Sequence, residues 1–146
     1  GLGSALTLGT QYYFDSDSNH WQNHARTIVW TTLTVTGMKY AFGEQRPGNK
    51  NYESFPSGHT AISFATATSL TYAYGYKAAL IAYPVAALVG LSRMADDMHW
   101  ASDVVGGAFM GIIMARACEQ NDKPTAASWT PFISNGSFNV YYTKNF

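Results

Sequence analysis

Charge is scarce in this sequence. Lys and Arg number nine, Asp and Glu nine, and together they make up only 12% of the 146 residues. Neither a basic stripe for a nucleic-acid backbone nor an acidic tail can be built from so few, so nucleic acid is excluded as a partner. Cysteine is scarcer still: Cys118 stands alone, which rules out an internal disulfide, and no Cys or His pairs fall at zinc-ligand spacing. Redox compartment is left open. A basic stretch followed by an apolar core and a small-residue cleavage site is also missing, and a chain opening on Gly1 reads as a mature or trimmed product. Long hydrophobic runs are lacking too. The most apolar one, residues 78–91, is bounded by Lys77 and Arg93, contains Pro84, and falls short of the ~18–20 residues a spanning helix needs. A soluble domain fits this pattern first and a membrane-embedded bundle second.

What is present is one domain's worth of chain, with 47% hydrophobic residues to fill a core. A short helix is expected within residues 1–14, and DSDSN at 15–19 reads as a loop or N-cap. Trp21, Ile28, Trp30, Leu33, Val35 and Met38 give a partly helical pattern from His20 to about Phe42, although Thr31, Thr32, Thr34 and Thr36 lower its intrinsic propensity. Tertiary packing must hold that helix. Residues 43–58 carry Pro47, Gly48, Pro56 and Gly58 among polar residues and read as a loop. Three further helices are expected: from near Ser57 to about Tyr74, from Lys77 to Leu91 with a kink at Pro84, and from near His99 to about Ala117. In the last, Ala101, Gly106, Gly107, Ala108 and Gly111 invite close approach by a neighbour. Beyond Lys123-Pro124 the texture changes to an Asn135-Gly136 turn signal followed by alternation of Phe138, Val140 and Tyr142 with polar or smaller residues. The expectation is an all-α body over 1–123 with a short β-hairpin in the tail 124–146.

The unusual polar residues fall in three clusters: Lys39 with Arg46-Pro47, then Ser57-Gly58-His59, then Arg93, His99 and Asp103. Each has a plain structural reading. Lys39 would offset a helix dipole, Arg46 would be a solvated loop residue, and Ser57 would cap a helix above a permissive Gly58. His59 would be an ordinary surface or core histidine, and His99 with Asp103 a local i, i+4 pair. Taken together, the clusters supply what phosphoryl chemistry needs. Arg46 and Arg93 offer guanidinium forks, Lys39 a point charge, and Ser57 and Gly58 the free N–H groups of a helix N-terminus. A neutral His99 could attack phosphorus while Asp103 holds the proton on its other ring nitrogen, and His59 could protonate the leaving oxygen. That chemistry needs no metal ligands.

At these residues the sequence resembles the type 2 phosphatidic acid phosphatase superfamily. Lys39, six residues, Arg46-Pro47; Pro56-Ser57-Gly58-His59; and Ser92-Arg93, five residues, His99, three residues, Asp103 match its tripartite signature at every specified position. At roughly one chance in twenty per position, accident would rarely produce so many matches in order. The resemblance implies a helical bundle with the site at one end, and hydrolysis through a phosphohistidine. It implies His99 as nucleophile, Asp103 as its partner, His59 as general acid, and Lys39, Arg46, Ser57, Gly58 and Arg93 on the phosphate. The choice of His99 over His59 as nucleophile rests mainly on the family.

No cofactor is implied, apart from vanadate as a phosphate mimic and inhibitor. The expected substrate is a phosphorylated small molecule or lipid, met outside the cytoplasm in solution or at a membrane surface; the oligomeric state is left open. Vanadium-dependent haloperoxidases resemble this family at the same residues and give a second reading, disfavoured by the short loop at 48–55. A non-catalytic envelope-associated helical domain is a third, and it would be marked by a lost catalytic residue. Outside the signature, Asp96 and Asp97 read as loop or cap residues, with Asp97 a partner for Arg93. Glu44 and Glu53 read as surface positions flanking the loop, and Trp100 as either pocket wall or core. Phe146 ends an aromatic tail that one hairpin cannot close into a barrel.

Overall fold

A computed structural model describes residues 2–14, 20–49, 51–120, 128–134 and 137–143. Among the described residues five helices follow in order: α1 (Leu2–Phe14), α2 (His20–Phe42), α3 (Gly58–Tyr74), α4 (Tyr76–Ala95) and α5 (Ala101–Gln120). A single 3-10 turn at Pro47–Asn49 interrupts the loop between α2 and α3. The last helix starts two residues later than the sequence pattern suggested, because His99 lies in the α4–α5 turn. Helix α4 is longer than expected at both ends and runs through Pro84.

Helix α3 is the central element and packs on the other four. Its composition explains why: Thr60, Ala61, Ala65, Ala67, Thr68 and Ser69 are all buried, and residues this small let neighbours close in from several sides. Helix α5 answers with Gly107, Gly111 and Ala115, an i, i+4 stripe of buried small residues. A Cβ on Gly107 would lie 2.5 Å from the Ser57 carbonyl oxygen, and one on Gly111 2.1 Å from that of Ala61. The two backbones therefore meet almost directly. Farther along, Gly106 receives the Phe55 ring, where a Cβ would come within 2.5 Å of it.

The interior is small and polar rather than greasy. His24 is fully buried, with Nδ1 2.7 Å from Gln11 Oε1 and Nε2 3.3 Å from Thr66 Oγ1. Thr66 in turn donates to Ser4 Oγ, so one polar cluster ties α1, α2 and α3 together. Thr27 and Thr31 are buried on the same helix, which is how packing overrides the weak propensity of α2.

The large apolar side chains point outward instead. Leu80 is 70% exposed, Ile81 72% and Phe109 62%, and in α4 only Ala86 and Gly90 are buried. Helices α4 and α5, 20 residues each, are both long and apolar enough to cross a membrane. This corrects the sequence reading that no run suffices: Lys77 and Arg93 bounded the apolar run, but the helix continues past both. Small residues inside and large apolar ones outside is the arrangement a bilayer favours.

Beyond the helices, the backbone of β1 (Ser128–Ser134) and β2 (Ser137–Thr143) runs antiparallel, with Ser128 opposite Thr143 and Ser134 opposite Ser137. The expected turn at Asn135-Gly136, the loop at 15–19, the boundary at Lys123-Pro124 and Phe146 lie outside the described residues. A hairpin as a folded unit is therefore taken up below as a proposal.

Candidate active site

Three chain segments meet at the end of the bundle where α2 stops, α3 begins and α4 turns into α5. Gly43, at φ +55°, ends α2, and its N–H returns to the Lys39 carbonyl at 3.0 Å. Lys39 thus projects from the last turn. Its ammonium donates to the carbonyl oxygens of Glu53 (2.6 Å) and Ser54 (3.4 Å), so it holds the loop rather than merely offsetting the helix dipole. Arg46 lies in the same loop, donating to the Glu53 carbonyl at 3.5 Å and to Met98 Sδ at 3.9 Å. Neither cation forms an ion pair with a carboxylate among the described residues, and the buried Arg46 Nε has no partner.

Ser57 is the N-cap residue of α3, but its side chain makes no capping bond. It is buried and accepts instead from the Thr60 hydroxyl at 2.9 Å, while its own N–H donates to the Asp103 carbonyl at 3.0 Å. The first-turn N–H groups of α3, led by Gly58, are thereby left without a side-chain cap at the positive end of a helix.

His99 is 5% exposed and Asp103 0%. His99 Nδ1 stands 3.4 Å from Asp103 Oδ2, within ion-pair range but without a hydrogen bond. The same Oδ2 accepts from the Trp100 N–H at 2.7 Å and from the Ser54 hydroxyl at 2.5 Å. Asp103 is thus fixed from two sides, and Nδ1 is the His99 ring nitrogen paired with it. Ser54, fully buried, escaped the sequence reading. Its partner lies 49 residues away, and no local spacing could have pointed to it.

Lys39, Arg46, Gly58, His59 and His99 line one cavity of about 390 Å³, with Thr32, Val35, Thr36 and Ile62 as the remaining wall. Ser57 and Asp103 stand behind that wall. Arg93 is not in it: its guanidinium is paired with Asp96 Oδ2 at 3.0 Å and donates to Ser92 Oγ at 3.3 Å. The partner expected for Arg93 was Asp97; it is Asp96, the residue that caps α4, while Asp97 takes a left-handed φ of 50° in the turn. Trp100 is neither wall nor core, since it is half exposed and its Nε1 donates to the Gln45 carbonyl at 2.9 Å, pinning the loop to the α4–α5 turn.

Electrostatics follow the same geometry. Burial, then Arg46 and Lys39, push His99 below its ordinary value, with Asp103 opposing. Burial, then Arg93, Arg46 and Lys39, depress His59 as well. Lys39 is lowered by burial and by Arg46. Burial is the largest cause in all three, and the neighbouring cations add a smaller share that an anion would offset.

The model of the PAP2 superfamily matches residues 10–123. Over 83 residues the chain is 43% identical to a lipid A 1-phosphatase of Porphyromonas gingivalis, covering 55% of this chain and 19% of that protein. It is 34% identical over 107 residues to lipid phosphate phosphatase 1 of Arabidopsis thaliana (62% and 33% of the two chains). Against a lipid A 4'-phosphatase of Helicobacter pylori it is 28% identical over 107 residues (73% and 54%). The chain thus spans from about a fifth to about half the length of these relatives. No solved structure matches. With the match running through all three segments that build the cavity, the chain belongs to the PAP2 superfamily.

Proposed function

We propose that this chain hydrolyses a phosphomonoester carried on a lipid, through a phosphohistidine on His99. The observation that carries the reading is the cavity itself, where two cations without carboxylate partners and an uncapped helix N-terminus converge beside two histidines. Such a site is incomplete without an anion, and a phosphate supplies both its charge and its acceptors.

In the proposed reaction the phosphate sits between Lys39, Arg46 and the first N–H groups of α3. His99, kept neutral by burial and by its cationic neighbours, attacks phosphorus with the lone pair of the nitrogen facing the cavity, while Asp103 holds the proton on Nδ1. The bond from phosphorus to the leaving oxygen breaks, and His59 gives that oxygen its proton. Phosphate binding raises the proton affinity of His59 by neutralising the cations that depress it. Water, deprotonated by His59, then attacks phosphorus, the bond from phosphorus to the His99 nitrogen breaks with its electron pair returning to the ring, and inorganic phosphate departs. Arg93 joins the phosphate by giving up Asp96, a partly exposed pair worth roughly 0–1 kcal/mol.

We place the site at a membrane face. If α4 and α5 span the bilayer, the turn between them, which carries His99, must lie at one surface, and the extracytoplasmic one suits phosphatases of lipid A and related lipids. Residues 1–123 form the helical domain in this reading, and 124–146 an appended hairpin, supported by the antiparallel register of its strands. The test is hydrolysis of p-nitrophenyl phosphate and of a lipid phosphate in excess chelator, with inhibition by vanadate. A folded His99→Ala variant with full activity would overturn the mechanism.

A further inference from the structure

A second, larger cavity of about 560 Å³ runs between α1, α3 and α4, within the range of ligand pockets. On α3 it follows His59, Ser63, Ala67 and Leu70, and on α4 the opposing face from Val89 back to Ala78. His59 lines this groove and the phosphate cavity alike. The hydroxyls of Ser4, Thr7 and Thr66 that border it are already engaged, with one another's atoms or with His24, and apart from Ser63 and His59 the rest of the lining is apolar. Its small residues Ala78, Ala82 and Ala86 recur every four positions along α4 and leave a channel beside them.

We infer that this groove takes the apolar chain of the leaving group, so that the substrate's lipid tail runs from His59 along α3 toward Leu70. The inference rests on the phosphatase reading above and adds direction to it. In an in-line displacement the leaving oxygen departs opposite the nucleophile, and the residue that protonates it must touch it. That residue is His59, and the groove begins there. From His59 to Leu70 the helix advances about 16 Å, roughly half of the ~30 Å hydrocarbon core of a bilayer. The channel is therefore about as long as one leaflet is thick, which is the length of one acyl chain. A second copy of this chain, a further helix, or a bilayer lipid unrelated to turnover would be indifferent to where the channel begins.

The test uses soluble n-alkyl monophosphates of increasing length, kept monomeric, with p-nitrophenyl phosphate as a short control. In the parent protein kcat/KM rises by up to about fourfold per added methylene and levels off once the chain reaches Leu70. Ala82→Trp, which blocks the channel midway, levels off at a shorter chain and loses at least about tenfold on long substrates, while p-nitrophenyl phosphate turnover stays within about twofold. Ala78→Trp, at the far end, moves the plateau less and serves if Ala82→Trp does not fold. A flat chain-length dependence in the parent overturns the inference, as does an unmoved plateau in variants that retain p-nitrophenyl phosphate turnover. A parent that hydrolyses none of these esters overturns the phosphatase reading as well.

Discussion

Gly111→Ala adds one carbon, and at an exposed position inside a helix it would stabilise by about 1 kcal/mol. Here the new Cβ would lie 2.1 Å from the carbonyl oxygen of Ala61 and 2.8 Å from the Ala65 nitrogen. Both are backbone atoms, so no side-chain rotation relieves the overlap, and α3 must part from α5 by about 1 Å to restore ordinary contact. Overpacking of this kind costs roughly 1–3 kcal/mol, which exceeds the propensity gain. The displacement also reaches the chemistry, because α3 starts with Gly58 and His59 while α5 carries Asp103. A shift of about 1 Å between reacting groups can cost on the order of 10²-fold in rate. The expected outcome is a lower thermal unfolding midpoint together with a fall in p-nitrophenyl phosphate turnover of at least about tenfold. Gly37→Ala is the control: nothing lies within 4 Å of its added Cβ on exposed α2, so stability should rise and turnover should hold. If the two variants behave alike, the close backbone contact is not what positions the site.

Ser54→Ala removes the hydroxyl bonded to Asp103 Oδ2, a bond to a charged group worth about 1.5–3 kcal/mol, and kcat should fall roughly tenfold or more with little change in KM. Steady-state kinetics checks this, and a change under about twofold would remove Ser54 from the account. His99 must be neutral to attack and His59 protonated to donate, and burial with nearby cations lowers both in the free protein. The profile of kcat/KM against pH should therefore be a bell whose two limbs are the titrations of His99 and His59, both on the acid side of about 6.5. A maximum above about pH 8 would contradict that assignment. Asp96→Asn breaks a partly exposed pair and should change stability by less than about 1 kcal/mol and turnover by a few-fold at most. Asp103→Asn should cost at least about 10²-fold, and equal damage from the two would mean that the turn's acids share one role.

The signature residues were legible because they are fixed by spacing, and spacing survives in a linear string. Lys39, Arg46, Gly58, His59 and His99 do meet in one cavity. What spacing cannot carry is which partner a side chain chooses. Arg93 was given Asp97 as its partner, yet it rests on Asp96, three residues along its own helix end. Ser54 and His24 gain their meaning from Asp103 and Gln11, contacts made only after the chain folds back. The length of the apolar helix was misread for a related reason. Charge at Lys77 and Arg93 bounded the apolar run in the sequence, but a helix ends where its backbone hydrogen bonds end, and α4 extends through both. The small residues of α5 were visible, and they pointed correctly to close packing; only the structure shows that α3 answers with small buried residues of its own and that the large side chains are left outside.

The most direct test of the central claim is to look for the phosphoryl group on His99. Rapid mixing with a labelled lipid phosphate, an alkaline quench that preserves phosphohistidine, and peptide mapping should place the label on the peptide containing His99 and leave His99→Ala unlabelled. A protein that turns over substrate with label on His59, or on no residue during steady turnover, would contradict the account.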